Sequence, residues 1–169
     1  MTTINLPYFG QIDLIELKEY YKVKIELNKN EFGIKLGFKN NSISAEEAEK
    51  IVIFLNNISY FELQNRIYID KDFEQEGETA DYLNFYMQEF DDDELSKIVD
   101  FNDKDNLIEN QLLHKLKLIS VWIYPDGKYS ADYYGIFDYT IEIDGEACNQ
   151  LLVVNTNKSG DLNHISWES

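Results

Sequence analysis

From Lys22 to Leu27 apolar and charged residues alternate one for one. Val23, Ile25 and Leu27 fall on one side of an extended chain, and Lys22, Lys24 and Glu26 on the other. After the polar run Asn28-Lys29-Asn30-Glu31 the alternation resumes, with Phe32, Ile34, Leu36 and Phe38 opposed by Gly33, Lys35, Gly37 and Lys39. Successive strand side chains point to opposite faces, so two such runs joined by a turn predict a β-hairpin with one apolar face. The period then changes. Ser44-Ala45-Glu46-Glu47 fits a capping box, and Ala48, Ile51, Val52, Leu55 and Ile58 keep the 3.6-residue spacing of a helix packed on one side. Helical character continues through Leu63–Phe73, and Gly77 interrupts it. Thr79 is placed to cap a second helix, Ala80–Phe90, with Tyr82, Leu83, Tyr86 and Phe90 on one face. Asp91-Asp92-Asp93-Glu94 opens a short third helix carrying Leu95, Ile98 and Val99, its carboxylates suited to the positive end of the helix dipole. Leu107–Leu113 adds a further turn or two.

The last third returns to strands. Lys115–Tyr124 is apolar on both faces from Leu118 onward, which predicts a central strand. Tyr124-Pro125-Asp126-Gly127 reads as a turn, because proline pre-sets one dihedral and glycine accepts a positive one. Strands are expected at Tyr133–Ile141 and Gln150–Asn155, with Asn157–Asp161 turning the chain into a last strand, Leu162–Trp167. Strands, then helices, then strands predict one α+β domain over residues 1–169: an N-terminal β-hairpin, central acidic helices, and a C-terminal antiparallel β-meander, forming one sheet packed by helices. Trp167 should complete the sheet.

Composition agrees with a folded core: 44% of the 169 residues are hydrophobic and 14% aromatic, far from the profile of a disordered chain. The single cysteine, Cys148, cannot form an internal disulfide, which fits a reducing cytoplasm. The opening MTTINLPYFGQIDL lacks the basic and apolar regions of a leader, and apolar runs such as Ile51–Leu55 are too short to span a bilayer. Net charge is −17, and its distribution carries more than its total. Asp70–Asp105 holds 14 acids against 3 lysines, whereas residues 1–69 are almost balanced, with 9 acids and 8 bases. Nucleic acid and anionic membranes require a cationic patch and are poor partners for such a chain; a basic protein is the better match.

A search for chemistry returns little. There is no phosphate-binding glycine loop, nucleophile elbow or paired metal-ligand motif. Asp70-Lys71-Asp72-Phe73-Glu74 begins like a calcium loop, but position six is Gln75 in place of the required glycine and position twelve is Asp81. Cys148 with His164, and Ser159 with Asp161 and His164, contain the residue types of a thiol dyad and a hydroxyl triad; packing and turn formation account for them more simply. No catalytic residue, cofactor or metal is expected. The crowded aromatics Tyr129, Tyr133, Tyr134, Phe137 and Tyr139 offer a contact surface instead. Strict alternation puts Tyr133, Phe137 and Tyr139 on the face of Gly135, and Tyr134 and Ile136 opposite, beside Asp132 and Asp138. A face of tyrosine and aspartate suits a lysine- or arginine-rich partner. The expected contact residues are therefore Asp132, Tyr134 and Asp138, with Asp91, Asp92, Asp93 and Glu94.

The opening Ile-Asn-Leu-Pro-Tyr-Phe-Gly-x-Ile-Asp (Ile4–Asp13), together with Phe137-Asp138-Tyr139, Leu151–Val154 and Ser166–Ser169, resembles an uncharacterised bacterial domain-of-unknown-function family, number two thousand and four. The likeness runs over nearly the whole chain, although only the opening motif is specific. It implies no established activity and no catalytic residues; acidic domains of this kind are associated with immunity proteins beside bacterial toxins. Three function classes follow. The first is a non-enzymatic acidic interaction protein, such as an immunity protein against a basic toxin. The second is a small hydrolase or metal-dependent enzyme using scattered carboxylates with His164. The third is a structural subunit of a larger assembly.

Overall fold

Along residues 2–130 and 133–169, which the computed structural model describes, strands β1 (Thr3–Leu6), β2 (Gly10–Asp13), β3 (Tyr20–Leu27) and β4 (Asn30–Gly37) come first. Helices α1 (Ala45–Asn56), α2 (Ile58–Glu74), α3 (Glu78–Glu89), α4 (Asp92–Ser96) and α5 (Ile108–Leu113) follow. The chain ends with β5 (Lys117–Ile123), β6 (Gly135–Thr140), β7 (Glu142–Ile143), β8 (Glu146–Ala147), β9 (Leu151–Thr156) and β10 (Leu162–Glu168). The fold is α+β. Asp132 lies outside the described residues.

The β3–β4 hairpin forms as the alternation predicts, with Val23 opposite Ile34 and Ile25 opposite Phe32. Its two-residue loop has positive φ at both Asn28 (53°) and Lys29 (64°), the twist that matches paired strands. The main sheet runs β10-β9-β6-β5-β4-β3. β4 and β5 lie parallel, Ile34 beside Val121 and Leu36 beside Ile123, while the other neighbours are antiparallel. Parallel neighbours cannot be joined by a tight turn, so the chain from α1 to α5 is the crossover between them.

The crossover covers one face of the sheet. Phe54 of α1 packs on Tyr134 and Phe137, with ring centroids 5.2 and 6.1 Å away. Arg66 of α2 lies over the Tyr139 ring at 4.9 Å. Tyr82 and Phe85 of α3 meet Trp167 of β10 at 6.4 and 5.1 Å. Ser44 caps α1 as expected: its hydroxyl accepts the Glu47 amide at 3.1 Å and Glu47 Oε2 accepts the Ser44 amide at 3.0 Å. α2 begins at Ile58, directly after Asn57, so the two helical stretches are nearly continuous.

Three expectations change. α3 starts at Glu78 rather than Ala80, and Thr79 is buried in its first turn instead of capping it, because Asp72 of α2 accepts the Thr79 amide at 2.7 Å. Two small hairpins, β1–β2 and β7–β8, form outside the main sheet, where strands of two to four residues leave no readable period. The alternation expected through Tyr133–Tyr139 holds from Gly135 onward, with Phe137 and Tyr139 on the helix side and Asp138 opposite, but Tyr134 departs from it. The strand starts at Gly135, and Tyr134 precedes it on the same side, against Phe54. A Cβ at Gly135 would stand 2.5 Å from Phe54 Cζ, so only glycine leaves room for that ring.

Trp167 closes the sheet: it pairs opposite Leu152, its indole N–H donates to Gln150 Oε1 at 2.8 Å, and its ring fills the gap to α3. Trp167→Ala is expected to cost about 3 kcal/mol in urea unfolding, and removal of Ile165–Ser169 to abolish the cooperative transition by baring the β9 edge. An unchanged midpoint for either variant would contradict this packing. Gly135→Ala should cost about 1–3 kcal/mol by overpacking against Phe54.

Candidate functional site

The acidic segment extends from the last turns of α2 through α3 and α4 to the loop before α5. Ion pairs among the described residues use Glu19, Glu31, Glu46, Glu62, Glu142 and Asp144, and no acid between Asp70 and Asp105 has a cationic partner within salt-bridge distance. Even Lys97, inside the segment, turns to Asp144 at 2.7 Å. Several carboxylates are used locally. Asp91 caps α4 by accepting the Glu94 amide at 2.8 Å, and Glu94 Oε2 accepts the Asp91 amide at 3.0 Å. Asp103 accepts from Asn106 and the Asp105 amide, which holds its carboxyl below the usual range. Among the expected contact residues, Asp91, Asp92 and Asp93 are exposed and Glu94 is half-buried.

Tyr134 and Asp138 do not share a solvent face with them or with each other. Tyr134 is 7% exposed and packed under α1, and burial pushes its phenol pKa up. Asp138 is 8% exposed and lies on the opposite, helix-free side of the sheet, beside Ser120 of β5, whose hydroxyl donates to Asp138 Oδ2 at 2.5 Å. Burial raises the Asp138 pKa; the Ser120 bond and the charge of Lys35 work against the rise, and Glu168 adds to it. Neither residue offers a partner much surface.

The helix-free side does carry an aromatic cluster, with a different membership from the one the spacing predicts. Trp122 stacks along Tyr124 at 5.8 Å, Tyr20 stands perpendicular to Trp122 at 6.4 Å, and Tyr129 meets Tyr124 at 5.2 Å. The Tyr20 and Tyr129 hydroxyls are hydrogen-bonded at 2.5 Å. Lys35 sits over Trp122, and Lys128 over Tyr20 while also reaching Glu19 at 2.8 Å. Tyr124 is pushed up to about 12 by burial and by its phenolic neighbours. These contacts bind the loop after β5 to the β3 edge. Tyr20 and Trp122 escape a local reading because they meet only when β5 is known to pair with β4.

The remaining candidates separate. Cys148 lies beside Tyr86 and Phe90, where burial raises its thiol pKa and opposes thiolate formation. His164 instead meets Asn155 at 3.1 Å, Asn163 at 2.6 Å and the Tyr133 ring at 5.5 Å. Ser159 and Asp161 donate their amides to Asn157 Oδ1, forming a turn. Asp70–Glu74 is the last part of α2, with no loop to wrap an ion. Among the described residues no three His, Cys, Asp or Glu converge as a metal site, and no helix is long and apolar enough to cross a membrane. A cleft of about 290 Å³ between the β3–β4 turn and α2 is lined by Asn30, Glu62, Arg66 and Lys117. Its cations are engaged within the fold: Arg66 donates to Glu62 Oε1 at 2.8 Å and to the Leu116 carbonyl at 2.6 Å, and Lys117 pairs with Glu142 at 2.8 Å.

Asp138 yields a signed pH effect. With its folded pKa above the unfolded value, its contribution to stability is full below the ordinary carboxylate range and lost as pH rises through the raised value. Asp138→Asn keeps an oxygen for Ser120 and removes the titration. The variant should therefore gain stability relative to the parent as pH rises from about 3 to about 7, read by urea unfolding at both ends; a flat or reversed difference would show that Asp138 is not strained by its burial. No family model, curated protein or solved structure matches this chain.

Proposed function

We propose that this chain is a non-enzymatic interaction protein that captures a basic protein partner, on the pattern of an immunity protein neutralising a basic toxin in the cytoplasm. The observation that carries the reading is the acidic segment without cationic partners: fourteen carboxylates between Asp70 and Asp105, none of them in an ion pair among the described residues. A folded chain gains nothing in stability from such crowding, since like charges repel and lower the stability of the compact state. The same field attracts a cationic protein, speeds its encounter and repels acidic competitors. Asp92 and Asp93 in the first turn of α4, and Glu89 at the end of α3, are exposed, and their carboxylates accept no hydrogen bond among the described residues, so they are free to meet lysine or arginine. The resemblance of Ile4–Asp13 to a bacterial family belongs to this proposal, and so does the toxin-linked role.

The test is capture of basic proteins from the source cells, with the bound protein then purified and its kinetics followed. Glu89→Gln/Asp92→Asn/Asp93→Asn, which leaves the Asp91 cap intact, should slow association about three- to tenfold at low ionic strength and have little effect near 0.5 M salt. Association that ignores both salt and the triple substitution would remove the basis of the reading.

A further inference from the structure

The outward face of α2 is apolar where a solvated helix would be polar. Phe61, Asn65 and Ile69 point into the core, while Tyr60, Leu63 and Ile67 are 57%, 60% and 56% exposed. Their spacing of three and four residues aligns them in one row along the helix. Ile53, 59% exposed in the last turn of α1, sits just before the Asn57 junction. Single exposed apolar residues are ordinary on a protein surface, but a row of three large ones marks a contact face. The row does not end at Ile67. The same helical spacing carries it on to Asp70 and Glu74, exposed carboxylates without an ion-pair partner among the described residues, which with Glu76 and Glu78 outnumber the one exposed lysine between them, Lys71. The unsatisfied carbonyls at the C-terminus of α2 add partial negative charge there, and Glu76 and Glu78 follow directly. The face is thus apolar at one end and anionic at the other.

We propose that this face of α2 receives an amphipathic helical segment of the basic partner, with apolar side chains against Tyr60, Leu63 and Ile67 and lysine or arginine against Asp70 and Glu74. The inference rests on the reading that the partner is basic, and it adds which surface is used and in which direction the segment lies. Charge complementarity selects this occupant. A second copy of the chain would bring another −17 to the contact, whereas a segment with cations at one end satisfies both halves of the row. Desolvating Leu63 and Ile67 supplies affinity, and the acids supply orientation and rate.

The probe is a synthetic peptide of about 18 residues, with leucines at helical spacing and lysines at one end, compared with a scrambled peptide of the same composition. Fluorescence anisotropy on the full chain should show the patterned peptide binding about tenfold more tightly. Leu63→Gln/Ile67→Gln should erase that advantage, and Asp70→Asn/Glu74→Gln should weaken binding severalfold and flatten its salt dependence, both with unchanged helical circular dichroism and melting. Equal binding of patterned and scrambled peptides would overturn the α2 face while leaving charge-driven capture standing. Failure of both peptides to bind at low salt would overturn both readings. A dimer seen by light scattering and dissolved by Leu63→Gln/Ile67→Gln would assign the row to a second copy and overturn it as well. The comparison of the two peptides on the unaltered chain decides the matter even where a variant folds poorly.

Discussion

Parallel pairing of β4 with β5 is the constraint on which the rest of this structure depends. The two strands lie side by side in the sheet and point the same way, so the chain must leave one end of β4 and return to the opposite end of the sheet to begin β5. All five helices are spent on that return. Because they cross together, they cover one face and leave the other to Trp122, Tyr20, Asp138 and the lysines of β3 and β4. The acidic segment is part of the same crossover, which is why the excess charge is displayed on the helical side instead of being shared around the sheet.

Packing that takes no charge holds this acidic layer down. Phe54 nests between Phe61, Tyr134 and Phe137; Tyr82 and Phe85 clasp Trp167; Phe61 occupies the space that a side chain at Gly160 would need. Polar fastenings add to this packing. Asp72 joins the start of α3 to α2, and the Tyr82 hydroxyl reaches the Gln150 carbonyl at 2.9 Å. Apolar burial does not weaken when like charges accumulate nearby, so the outer surfaces of α2, α3 and α4 can carry a strong negative field while the core stays whole. Core packing and the negative field thereby lie on opposite sides of the same helices.

Legibility in the sequence followed the range of the interactions involved. The Ser44 capping box, the Asn28-Lys29 turn, the β3–β4 hairpin and the capped start of α4 each depend on residues within a few positions of one another, and each was readable. The α3 start was not, since the Asp72 carboxylate that replaces a local cap belongs to another helix. Tyr134 was misplaced for a related reason: strict alternation assumes a strand that runs straight through Tyr133–Tyr139, whereas the ladder begins only at Gly135. Asp138 keeps the face that alternation gives it but is buried beside Ser120, a partner on another strand. The row Tyr60–Leu63–Ile67 has helical spacing in plain view, but the same spacing describes a buried face, and only the sheet's position shows which row of α2 is turned outward.

By itself the sequence determined the α+β class, the order of the longer elements, the acidic block and the absence of a recognisable catalytic motif, because these depend on composition and on periodicities of two and 3.6 residues. The tertiary structure alone decided that β4 and β5 run parallel, that Tyr20 and Trp122 share a face, that Cys148 and His164 lie apart, and that the acids of Asp70–Asp105 go without cationic partners among the described residues. Those outcomes depend on contacts between residues far apart in the chain, and no local pattern encodes which distant surface a side chain will meet.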